Sequence, residues 1–168
     1  MIFYVTMENC VKTVFPYIHR RLAFEEQAPE YQFDVEGMAE LEKVLELVRN
    51  DEYYSSFHAK AAYLICSIAG SQYFSNGNKR LAIVVLMMFL LLNMTQIAEL
   101  SREQFRDLLS ELFPLHTWDD NRSIEESYPL FLYNLAIIIG DRHVWPIQNF
   151  DNLKQSVQTL FEILHKVA

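Results

Sequence analysis

The chain has 168 residues, 51% hydrophobic and 21% charged, which is enough for one domain with a single core and too apolar for intrinsic disorder. Four glycines and five prolines leave little punctuation for many short strands and favour long helices. A formal net charge of −8 excludes a broad nucleic-acid surface, because neutralising phosphates needs a cationic face, and leaves room only for a local basic spot.

The amino end, "MIFYVTMENC", carries no basic leader or cleavage site, so no signal peptide is expected. Thr6 is placed to cap a first helix whose buried face is Val11, Val14, Phe15, Ile18 and Leu22, and Pro16 predicts a kink or break in it. The stretch "APEYQFDVEG" (28–37) reads as a loop or short extended piece. A second helix turns Met38, Leu41, Leu45 and Val48 inward and Glu40, Glu42, Lys43, Glu46 and Arg49 to water. The third starts after Ser56, shows Phe57, Ala61, Leu64, Ile65 and Ile68, and stops at Gly70.

A polar turn, "SQYFSNGNKR" (71–80), then leads into a fourth helix whose twelve residues from Leu81 to Leu92 are apolar all round, so this helix is expected at the centre. The run is shorter than the roughly 20 apolar residues a membrane span needs, and a cytoplasmic protein without a membrane partner is expected. Ser101 with Gln104 forms a capping-box pattern before Phe105, Leu108, Leu109 and Leu112. Ser123 with Glu126 repeats the pattern before a helix ending near Gly140, where Pro129 implies a late start or a kink. Leu153, Val157, Leu160, Phe161 and Leu164 mark the last helix. Cys10 and Cys66 are too few for a disulfide scaffold or a zinc site and read as buried thiols in a reducing compartment. The expected fold is all-α, about seven helices around one buried helix, as a single domain over 1–168.

The polar turn raises the functional question. A helix amino terminus carries about half a positive charge, so each cation there costs about 0.3–1 kcal/mol, yet Lys79 and Arg80 open the most apolar helix in the chain. Gly77 permits a left-handed backbone, and the N–H groups of Gly77, Asn78 and Lys79 can curl into a nest for oxyanions. A guanidinium that grips phosphate with two bonds would complete a phosphate cradle. The alternative is a plain cap by Ser75 or Asn76, with both cations reaching to solvent.

The segment "YLICSIAGSQYFSNGNKRLAIVVLMMFLLLN" resembles the central motif of the Fic/Doc family, H-x-F-x-(D/E)-(G/A)-N-(G/K)-R, through Phe74, Gly77, Asn78, Lys79 and Arg80. The likeness is sharp over about 40 residues and architectural elsewhere. It implies that Phe74 anchors the loop in the core, that Gly77 and Asn78 hold phosphates, and that Arg80 grips them. Lys79 and Ile83 resemble the Doc (death-on-curing, toxin–antitoxin) branch, in which a phosphoryl group moves rather than AMP. The implied ligand is ATP or another nucleotide, and the implied activity is transfer to a protein hydroxyl. The implied partners are a protein target or an antitoxin-like chain.

Two positions depart from that pattern. Gln72 stands where the family has its histidine, and glutamine cannot take a proton near neutral pH; loss of a general base typically costs about 10²–10⁴ in rate. Asn76 stands in the acid's place and offers Mg²⁺ only a neutral carbonyl, which weakens the case for that ion. The expectation is binding without efficient transfer, a transferase-like pseudoenzyme or a disarmed enzyme. The other reading is a non-catalytic protein-interaction module with a vestigial cradle.

No other histidine is placed to substitute. His58 precedes Gln72 by roughly 20 Å of helix at 1.5 Å per residue. His116, in "HTWDD" beside Asp119 and Asp120, reads as an exposed loop residue or, less simply, as a base or metal ligand brought in from elsewhere. The family's inhibitory pattern (S/T)-x-x-x-E-(G/N) is absent, so restraint would fall to a partner chain. By the same resemblance, "APEYQFDVEG" is the candidate for the family's target-aligning flap, which would precede the motif.

Overall fold

A computed structural model of the chain describes residues 1–22, 26–144 and 149–167. Thr6 opens the first helix with a reciprocal cap: its hydroxyl accepts from the Asn9 N–H at 3.1 Å, and the Asn9 side chain accepts from the Thr6 N–H at 2.9 Å. Helix α1 is continuous through Met7–Asn9, Cys10–Val14 and Phe15–Arg21, and its middle segment is π-helical, with the Phe15 N–H bonded to the Cys10 carbonyl. Pro16 has no N–H and its ring crowds the carbonyl four residues back. Widening the preceding turn absorbs that conflict, so the expected kink or break takes the form of a π-bulge.

Helix α2 (Val35–Leu47) begins earlier than its apolar period suggests, because Asp34 caps it by accepting from the Gly37 N–H at 2.8 Å. The stretch 28–37 is therefore a loop over 28–30, a 3₁₀ turn at Tyr31–Phe33, and then Asp34 and the first turn of α2, so only part of it is the loop expected. Ser56 caps α3 (Phe57–Ala69), and Gly70 ends it. Next come α4 (Asn78–Leu92), α5 (Arg102–Leu112), α6 (Ser127–Gly140) and α7 (Phe150–Leu164). Both halves of the Ser101–Gln104 box form. The Ser123–Glu126 box does not: Glu126 is itself the residue before α6, its side chain caps nothing, and the Ser123 N–H goes to Asn121. Pro129 falls in the first turn of α6, where a missing N–H is harmless.

The fold is all-α, with seven helices among the described residues. The expected central helix is α4, which packs against α1, α3 and α6. Burial is shared, however: α3 packs against α2, α4, α6 and α7, and α6 is buried along most of its length. Lys60, fully buried in α3, bonds to the Val48 carbonyl at the end of α2 (2.9 Å) and to Asp51 (2.8 Å).

Strands β1 (Gln96–Ile97) and β2 (His165–Lys166) pair antiparallel, tying the end of α7 to the exit of α4. The chain leaves α4 through Met94, at φ 50°, with the Thr95 N–H reaching back to the Leu90 carbonyl and the Met94 N–H to Leu91. This is a left-handed helix stop that glycine usually fills. Cys10 and Cys66 are free and buried, and burial pushes the Cys10 thiol up to about 12. No described helix is long and apolar enough to cross a membrane.

Candidate anion site at the start of helix α4

The loop from Gly70 to Gly77 is held by two aromatic rings and one amide. Phe74 is 2% exposed and meets Tyr31 edge-on at 5.0 Å; Tyr31 stacks on Phe15 at 4.7 Å. Phe74 is thus seated in the core. Helix α2 comes close enough to support this anchor only because Gly37 lacks a side chain: a Cβ there would lie 2.6 Å from the Phe74 ring and 2.7 Å from the Tyr73 carbonyl.

Asn78 closes the loop on itself. Its Oδ1 accepts from the Phe74 N–H (3.1 Å), and its Nδ2 donates to the Phe74 carbonyl (2.9 Å). Both polar ends of the Asn78 side chain are engaged by the loop, and its backbone N–H is left without a partner among the described residues. Gly77 sits at φ 73°, the left-handed geometry expected, and its carbonyl accepts from the Tyr31 hydroxyl at 2.9 Å. No side chain caps α4, whose first internal bond runs from the Leu81 N–H to Gly77, so the N–H groups of Asn78, Lys79 and Arg80 meet no acceptor among the described residues. The plain cap by Ser75 or Asn76 does not form. Asn76 instead leaves its Oδ1 buried and unpartnered among the described residues.

These groups face a polar cleft of about 250 Å³ between the 70–80 segment, Glu26, Tyr133 and Gly140. Lys79 and Arg80 both line it, but they are placed differently. Arg80 is 3% exposed, and its Nη1 donates to the carbonyls of Leu22 (2.9 Å) and Glu26 (2.7 Å). That edge of the guanidinium holds the segment after α1 rather than a ligand. Tyr31, beside it, has its phenol pushed up to about 12 by burial, against the pull of the Arg80 charge.

Lys79 lies where α3 and α6 end. A Cβ built on Gly140 would fall 2.7 Å from its Cε, 3.1 Å from its Nζ and 3.6 Å from the Ala69 carbonyl oxygen. Arg142 works at the same junction, donating to the Gly70 carbonyl at 2.9 Å. The cost of a cation at the start of α4 is therefore offset by the negative carboxyl ends of two other helices. Lys79 has no carboxylate partner among the described residues.

Gln72 is exposed at the cleft and supplies no base. The histidines lie elsewhere. His58, at the far end of α3, bonds to the His165 carbonyl (3.2 Å), and His19 to the Pro29 carbonyl (3.0 Å). His116 meets Asn134 Oδ1 at 2.8 Å, an oxygen that also accepts from the Asp119 N–H at 2.8 Å, so His116 Nε2 is the donor there and fastens the loop. No group of three or more His, Cys, Asp or Glu residues is gathered for a metal among the described residues. Sequence reasoning missed Glu26, the only carboxylate among the described lining residues, and Gly140, whose bare backbone seats Lys79. Nothing local marked either one, since both arrive from distant elements. Compared with family models, with curated proteins and with solved structures, the chain gives no match in any of the three.

Proposed function

We propose that the cleft at the start of α4 binds a phosphate-bearing ligand and, in this chain, does not efficiently transfer it. The observation that carries this reading is the set of three unpartnered N–H groups at Asn78, Lys79 and Arg80, with the Lys79 ammonium beside them, opening onto one cleft. At about 250 Å³ the cleft takes a phosphate chain, and a nucleoside would extend beyond it. The Fic/Doc likeness adds the class of chemistry: ATP or a related nucleotide as ligand, and phosphoryl or AMP transfer to a protein hydroxyl as the ancestral reaction. Gln72 removes the base and Asn76 the metal-binding acid, so this chain is a transferase-like pseudoenzyme, cytoplasmic and restrained, if at all, by an antitoxin-like partner.

Calorimetric titration with pyrophosphate and with ATP, with and without Mg²⁺, tests the proposal. Both ligands bind, Mg²⁺ changes little, and Lys79→Ala weakens each about tenfold. Glu26→Gln tightens binding, because a carboxylate on the wall opposes an anion. Failure of both ligands to bind would overturn the reading. Gln72→His with Asn76→Asp then tests the lost chemistry: transfer of label from γ-labelled ATP to lysate proteins appears in the double variant and in neither single one, since base and metal serve one transition state.

A further inference from the structure

From Leu81 on, helix α4 is apolar on every side, and among the described residues three of its sides are covered by α1, α3 and α6. The fourth carries Val84, Met87, Met88 and Leu91, an i, i+3, i+4, i+7 stripe about 10 Å long at 1.5 Å per residue. Leu91 is 76% exposed at its end. The stripe forms the floor of a concavity of about 350 Å³, with Tyr17 of α1 and Tyr128 of α6 in its walls. A second concavity of about 360 Å³ continues from it and shares Met87, Ile97 and Tyr128.

Charge decides what fits. Among the described residues, no cation lines either concavity. The second ends in Glu99 and Glu126, both exposed and neither ion-paired among the described residues; the Glu126 side chain is not used to cap α6. An anionic bilayer and a second copy of this −8 chain would each bring like charge to that rim.

We propose that this groove receives a basic amphipathic helix, its apolar residues at helical spacing against the α4 stripe and its lysines or arginines at Glu99 and Glu126. Methionine side chains suit such a floor because they adapt to the partner's shape, and helix-in-groove recognition uses this same anchor spacing. The groove lies on the carboxyl half of α4, away from the cleft at its start, so the proposal does not rest on anion binding.

The test uses a fluorescein-labelled 18-residue Leu/Lys peptide with leucine at i, i+3, i+4 and i+7, followed by anisotropy and by methyl NMR of protein labelled at its methionines. Micromolar binding is expected, shifting the Met87 and Met88 methyls and leaving Met38 unmoved. Leu91→Asp, an exposed substitution that spares the core, weakens it at least tenfold. Glu99→Lys with Glu126→Lys weakens it about fivefold, while Glu42→Lys with Glu46→Lys, the same charge change on the outer face of α2, does not. Equal binding of a scrambled Leu/Lys peptide or of a Leu/Glu peptide would overturn the proposal. So would equal loss from the two charge reversals, or self-association of the free protein abolished by Leu91→Asp.

Discussion

Lys79 crosses Gly140 so closely that a Cβ added to the glycine would lie 2.7 Å from the lysine Cε. Two residues more than sixty positions apart thereby fix where the ammonium sits, at the carboxyl ends of α3 and α6 and beside the open first turn of α4. A cation held this way loses little freedom when an anion arrives, which is the advantage of a site formed before its ligand.

Gly140→Ala separates that placement from the fold. The atom displaced is the far end of a flexible side chain, and alanine favours the helix, so stability changes by less than about 1 kcal/mol. The Lys79 ammonium is pushed from its seat, and pyrophosphate affinity falls about fivefold by calorimetry. Combined with Lys79→Ala, the glycine change adds nothing further, because both act through one charge. An unchanged affinity in Gly140→Ala would remove Gly140 from the site.

Asn78 is the structural counterpart. Replacing it by alanine strands the buried N–H and carbonyl of Phe74, each at a cost of about 1–3 kcal/mol, so Asn78→Ala loses about 3 kcal/mol in urea unfolding. Arg80→Ala belongs with it, since the carbonyls of Leu22 and Glu26 lose their donor. Loss of ligand binding in either variant reports the loop as much as the ligand. A loss below about 1 kcal/mol in Asn78→Ala would mean that the amide does not hold the loop.

Much of this was legible in the sequence because helical period and caps are local. Thr6, Ser56 and Ser101 cap where they stand, and the α4 run is buried along most of its length, with Leu91 left exposed at its end. The left-handed Gly77 and the core-bound Phe74 were likewise written into ten consecutive residues. What escaped was set by partners far along the chain. Nothing near Arg80 in the sequence foretells that its Nη1 is held by the carbonyls of Leu22 and Glu26. Ser123 and Glu126 match a capping box, yet Asn121 takes the Ser123 N–H first. The two-residue strands carry no pattern that a short window could hold; their pairing is an event of tertiary structure.

That pairing places a histidine where protonation is costly. His165 is 2% exposed, with its Nε2 2.7 Å from the Tyr128 hydroxyl and its Nδ1 buried without a partner among the described residues. Burial, and secondarily the neighbouring His58, lower its pKa to about 4, while burial holds the Tyr128 phenol neutral. The unfolded chain titrates this imidazole near 6.5, so between about 6.5 and 4 the unfolded state binds a proton that the fold refuses. Stability is therefore full above about pH 6.5 and declines as the pH falls toward 4, by about 3 kcal/mol for this group. His165→Gln keeps a hydrogen-bonding partner for Tyr128 but cannot protonate. It flattens the pH dependence of the urea midpoint between pH 6.5 and 4.5. Amide exchange at Ile97, opposite His165 in the strand pair, quickens in the wild type over the same window and not in the variant. Parallel pH curves for the two proteins would mean that His165 does not set the acid limit of the fold.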